Sequence, residues 1–143
     1  MVYSVRSSAD PTSGDHVPTL DRSEVDSLVA SGWTEGCNPA YGPPGLCEGN
    51  EGDGPFGLYA NAGTGRVEIY RCYTGVDHFL STDGACEGFT TERLLGYAAS
   101  TPSSDMPRPL HRCYDSGATA HFWWLDATCP AGVTSEATLG FVQ

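Results

Sequence analysis

RCYTGVDHFLSTDGACEGF, residues 71–89, opens on a cysteine between Arg71 and Tyr73 and comes back to a second cysteine after a Gly/Asp/His turn and a short polar run. RCYDSGATAHFWWLDATCPAG, residues 112–132, repeats Arg-Cys-Tyr, then His-Phe, then a single Asp, then Cys, in the same order and at nearly the same spacing. Each copy follows a short apolar run, Val67-Glu68-Ile69-Tyr70 or Pro109-Leu110-His111. Each ends in Leu-Gly-aromatic, Leu95-Gly96-Tyr97 or Leu139-Gly140-Phe141. With these two in register, the N-terminal part reads as a diverged third copy. Val2-Tyr3-Ser4-Val5-Arg6 leads to Gly14-Asp15-His16, and the copy closes on Phe56-Gly57-Leu58-Tyr59. A period of roughly 40 residues signals a repeat architecture. The units run over about 2–62, 67–100 and 107–143 and fill one domain of 143 residues.

Composition restricts what such units can be. Eighteen glycines, ten prolines and only 17% charged residues fit a turn-rich chain of short strands. Seven Lys and Arg against 18 Asp and Glu leave a formal charge of -11. That charge repels phosphate backbones and anionic lipid, so nucleic acid and membrane surfaces are poor partners. No apolar run approaches the roughly 18 residues of a membrane span.

Six cysteines are distributed two to a unit. Repeat symmetry selects the pairs Cys37–Cys47, Cys72–Cys86 and Cys113–Cys129 from the connectivities that six cysteines admit. None lies in a C-x-x-C pair, so zinc-ribbon and thioredoxin spacings are missing. Each bridge is expected to contribute about 3 kcal/mol, and together they imply an oxidising, extracellular location.

Alternation and β-branched or aromatic content predict strands over Val67–Tyr73, His78–Ser81 and Leu94–Ala98, and again over Pro109–Tyr114, His121–Leu125 and Thr138–Val142. The first unit differs by a short helical stretch in which Val25, Leu28 and Val29 share a face. Asp21 or Ser23 is its candidate N-cap and Gly32 its candidate end. Ten or more short strands in three similar units predict an all-β fold, a closed β-trefoil with pseudo-threefold symmetry and one short helix in the first repeat.

The run Tyr-Arg-Cys-Tyr, Asp-His-Phe-Leu-Ser-Thr-Asp, Cys-Glu-Gly and Leu-Leu-Gly-Tyr resembles an uncharacterised repeat of secreted bacterial and fungal proteins, often appended to hydrolases. Gly14-Asp15-His16, Glu24, Gly32-Trp33 and Glu35-Gly36 match its longer form. Val17-Pro18-Thr19 and Ala120 depart from it. The resemblance implies a trefoil-like, lectin-like accessory module and brings no catalytic residues.

The candidate ligand-binding residues are Asp15, His16, Trp33, Asp77, His78, His121 and Trp124. His16, His78 and His121 recur in register, and the bland reading is an imidazole that hydrogen-bonds a turn, with Asp15 or Asp77 setting its tautomer. Arg6, Arg71 and Arg112 also recur, and a strand arginine is more often paired with an inward carboxylate than with a ligand. Of the adjacent Trp123 and Trp124, one faces the core, and the other is the candidate solvent-facing platform for a sugar ring; Tyr41 is a second candidate platform. Glu48, Asn50, Glu51 and Asp53 could offer oxygens to calcium, but without EF-hand spacing a solvated loop is the stronger reading. No nucleophile elbow, metalloprotease helix or phosphate loop is present. The expected function is therefore a secreted, non-catalytic lectin or carbohydrate-binding module whose partner is a glycan or polysaccharide. No cofactor is expected beyond the calcium option. The alternative is a trefoil protease inhibitor acting through the rigid Cys37–Cys47 loop.

Overall fold

Alternating apolar residues in the two Arg-Cys-Tyr stretches do form long strands, and each becomes the centre of a three-stranded antiparallel sheet. The computed structural model describes residues 1–36 and 52–143. Nine strands are present among them: β1 (Tyr3–Arg6), β2 (His16–Thr19), β3 (Thr34–Glu35), β4 (Arg66–Tyr73), β5 (His78–Ser81), β6 (Thr90–Ala99), β7 (Arg108–Asp115), β8 (Ala120–Trp124) and β9 (Thr134–Val142). The sheet orders are β2-β1-β3 and β5-β4-β6-β9-β7-β8. The longer sheet is two three-stranded halves joined between β6 and β9 at Ala99 and Phe141. β6 and β9 start earlier than alternation predicts, because their leading Thr90–Arg93 and Thr134–Glu136 stretches are exposed on both faces and show no apolar period.

The central strands are bulged at matching steps, Ile69/Tyr70 and Arg71/Cys72 in β4, Leu110/His111 and Arg112/Cys113 in β7. A bulge breaks the two-residue period and re-aims the side chains. Ile69 and Leu110 therefore enter the main core, whereas Cys72 and Cys113 enter separate outer clusters with Phe79 and Phe122. The bridges Cys72–Cys86 and Cys113–Cys129 close over those clusters. The expected Cys37–Cys47 pair, Tyr41, and Glu48, Asn50 and Glu51 of the calcium option lie outside the described residues.

The short sheet and the two halves of the long one share a core that includes Val2, Phe56, Ile69, Leu110, Trp123 and Val142. Tyr59 pairs with Tyr97, and Gly57 and Gln143 exchange amide–carbonyl bonds of 3.0 and 3.1 Å. The Leu-Gly-aromatic motif marks these junctions. A Cβ on Gly96 would lie 2.8 Å from the Tyr59 carbonyl oxygen, and one on Gly140 would lie 2.8 Å from Ala98 Cβ and 2.9 Å from Ala99 O.

The one α-helix among the described residues, α1 (Arg22–Ala30), starts where Asp21 accepts from the Ser23 amide at 2.9 Å. It ends in a Schellman turn, with Gly32 N–H on Val29 O and Trp33 N–H on Leu28 O and Gly32 at φ +97°. Val25 is fully buried, but Val29 is exposed and does not join the expected apolar face. No helix among the described residues is long and apolar enough to cross a membrane.

Gly96→Ala and Gly140→Ala are each expected to lower stability by about 1–3 kcal/mol in urea denaturation, since the neighbouring backbone has to move. Gly75→Ala, at φ +106° with nothing within 4 Å of a new Cβ, should cost only about 1–2 kcal/mol from backbone conformation alone.

Candidate functional site

The repeated arginines, histidines and acids meet where one sheet packs on the next. At the first seam Arg71 of β4 forms a bidentate pair with Glu24 of α1, at 3.1 and 3.0 Å, and donates Nε–H to Glu92 of β6 at 2.7 Å. Asp15 accepts from the His78 amide and lies 2.7 Å from His78 Nδ1, and Glu92 lies 3.0 Å from His78 Nε2. The second seam repeats this. Arg112 pairs with Glu87 at 2.6 and 3.1 Å and with Glu136 at 3.0 Å. His121 Nδ1 lies 2.6 Å from Asp77, and His121 Nε2 lies 3.2 Å from Glu136. Even the minor contacts correspond. Arg71 donates to Pro18 O and Arg112 to Leu80 O, while Thr19 and Ser81 donate to Glu24 and Glu87.

Asp15 and Asp77 therefore do orient imidazoles, but those of the following sheet rather than of their own turn. The expected pairing of the strand arginines with carboxylates is also present. In both seams a tyrosine covers the imidazole: Tyr73 stacks on His78 with centroids 4.3 Å apart, and Tyr114 lies 4.7 Å from His121. The arginine pairs hold the Glu24 and Glu87 carboxyls below their ordinary value of 4.5. Glu92 and Glu136 were not singled out by the sequence reading. Their signal is present, since each follows its arginine at a similar interval, 21 and 24 residues.

The third seam is built differently. Ala120 occupies the place of Asp15 and Asp77, and Trp124 that of Thr19 and Ser81. Residues 52–56 fill the gap. Asp53, buried, pairs with Arg6 at 2.9 Å and lies 3.3 Å from His16 Nε2. Gly54 O accepts from the Trp123 indole at 3.0 Å, and a Cβ on Gly52 would lie 2.8 Å from the Trp124 ring. His16 is bonded to the backbone carbonyls of Pro11 and Gly14 and touches Phe122 and Trp123. Arg6 Nε has no partner among the described residues.

Four of the seven candidate residues, Asp15, His78, Asp77 and His121, thus come together in two equivalent clusters. His16 is sealed in the third seam. Trp124 is 8% exposed and packs on Phe122 and Cys113, so the solvent-facing platform expected there is corrected: the ring closes the seam. Trp33 lies half-buried between α1 and β3. The crevice between β5 and β8, lined by His78, Phe79, Arg112 and His121 among others, has no room for a water molecule. Among the described residues no group of three or more His, Cys, Asp or Glu is placed to hold a metal ion, and Asp53 of the calcium option faces Arg6 instead.

No family model matches this chain, and no curated protein or solved structure matches it.

Two outcomes are expected. Glu24→Gln should lower stability by about 1 kcal/mol at pH 7, a modest value because the pair is partly solvated. A carboxyl depressed on folding stabilises above its unfolded value and loses that contribution on acidification, so the deficit should close as the pH falls through 4.5 and below. Guanidinium melts of both proteins between pH 3 and 7 check this. Asp53→Asn should cost about 3 kcal/mol at pH 7, because the buried Asp53 carboxylate is the counter-charge of the half-buried Arg6.

Proposed function

We propose that the chain is a secreted, non-catalytic glycan-binding module built from three related units around a pseudo-threefold axis, in the manner of a trefoil. The architecture reading is supported by the common sheet order with the earliest strand central, the bulges at matching steps, and the seam contacts that run from each sheet to the next. Secretion is supported by the two disulfides.

The observation that carries the binding function is the duplicated cluster, Tyr73/His78/Asp15/Glu92 and Tyr114/His121/Asp77/Glu136. In each, an aromatic face lies against a fixed imidazole. The outer carboxylates are partly open, Glu92 at 30% and Glu136 at 28%. A pyranose needs one apolar surface and a few rigid polar groups for its hydroxyls, and this is such a set. Because these polar groups are already locked by one another, they lose little further freedom on binding. One shallow site of this kind binds near the millimolar level, about -4 kcal/mol, and two sites on one body raise avidity toward a polysaccharide. The inhibitor alternative rests on a loop outside the described residues, and no observation favours it.

A glycan array probed with the oxidised protein should give specific hits. Tyr73→Ala and Tyr114→Ala should each weaken them several-fold, and the double variant should abolish them with the fold retained by circular dichroism. A blank array with folded wild-type protein overturns the proposal.

A further inference from the structure

Phe89 is the anomaly of the second seam. It is 54% exposed, yet its ring stands edge-on to the buried Phe79 at 5.8 Å. The matching position before β9 is Val133, half-buried against Cys113, Phe122 and Trp124. Covering the disulfide cluster therefore requires only an aliphatic side chain, and the aromatic ring at 89 projects beyond what packing uses.

The turn that presents it is strained. Cys86 and Glu87 have φ of +50° and +55°, followed by Gly88 at +93°. Left-handed conformation costs a non-glycine residue about 1–2 kcal/mol, and such residues cluster at ligand clamps. The strain here fixes two groups. It throws Phe89 outward, and it places Glu87 on Arg112 and Ser81. Glu87 keeps a side chain 42% exposed while both its oxygens are held, so a partly open, immobilised carboxylate stands two residues from an exposed aromatic ring. Phe79 joins this pair to the second cluster, 5.3 Å from the His121 ring and 5.6 Å from the Arg112 guanidinium.

We infer that Phe89 and Glu87 form a sugar subsite that extends the second seam, Phe89 stacking on the apolar face of a hexose and Glu87 accepting from its hydroxyl or ammonium groups. The inference rests on the glycan-binding reading above. A single open ring rimmed by charge suits a pyranose, which is apolar on one face and polar round its edge, better than the broad apolar surface of a protein partner. The carboxylates and the net charge of -11 select the class: amino sugars first, neutral hexoses next, and sugars carrying carboxylate or sulfate disfavoured.

The test is calorimetric titration of the oxidised protein with three probes, a glucosamine hexamer, cellohexaose and an oligogalacturonate. The expected order of affinity is that in which they are named. Phe89→Ala should weaken the glucosamine hexamer about tenfold without moving the urea midpoint, since the ring is mostly exposed, and Phe89→Trp should restore or tighten binding. Unchanged affinity in Phe89→Ala, alongside loss in Tyr114→Ala, would overturn the subsite and leave the seam reading standing. Tightest binding to the oligogalacturonate would overturn the ligand class. No binding of any probe by the wild type would overturn the subsite, and a blank array would then remove the seam reading as well.

Discussion

Each half-buried strand arginine is held by a carboxylate from outside its own three strands, Glu24 of α1 for Arg71, Glu87 of the turn before β6 for Arg112 and Asp53 for Arg6, and the rest of the structure depends on that reach. Arg71 and Arg112 sit in β4 and β7 with little solvent, where an unpaired guanidinium would be costly. Glu24 and Glu87 answer them across the seam, while Glu92 and Glu136, further along the same sheets, take the remaining Nε–H and a histidine nitrogen. Because Glu24 and Glu87 reach forward from the preceding unit, while Glu92 and Glu136 stand on the strands paired with β4 and β7, the contacts across each seam have a direction. The end of the chain comes back to its N-terminal part, where Gln143 exchanges backbone bonds with Gly57 and His16 touches Phe122 and Trp123.

That return is where the molecule departs from regularity. Strands β7–β9 have Ala120 and Trp124 where the other two sets carry an acid and a hydroxyl, so the acid that meets the imidazole in the regular seams is missing at His16. Asp53 supplies the missing charge from the segment after the first sheet. The adjacent tryptophans follow from the same substitution: Trp123 donates to Gly54 O, and Trp124 lies on Gly52. Trp124, which looks like a ligand platform in the sequence, packs with Trp123 on the segment that carries Gly52 and Gly54. The binding surface we propose lies instead at the two regular seams, where tyrosines lie over ordered imidazoles.

Much of this was legible in the residues, and the limits are physical. Repetition of Arg-Cys-Tyr and His-Phe located the central and second strands, and the cysteine spacing located two bridges that the structure contains. The starts of β6 and β9 escaped notice because their first halves are solvated on both faces and leave no period. Val29 was assigned to the helix core from spacing, but α1 is short and buries only Val25. For Asp15 and Asp77 the sequence shows the chemistry and not the partner: an acid one residue before a histidine looks local, while the packing of β2 on β5 and of β5 on β8 delivers it to a histidine 63 or 44 residues further on.

By itself, then, the sequence determined an all-β chain of recurring short strands, its disulfide-braced hairpins, its one capped helix and the pairing of its arginines with acids, because periodicity, capping and burial of charge act over a few residues. The tertiary structure alone decided which acid meets which base, that Trp124 is inside and Phe89 outside, and that Asp53 replaces a carboxylate absent from the third sheet. Those outcomes depend on how strands far apart in the chain fit around one core, and no local pattern carries that geometry.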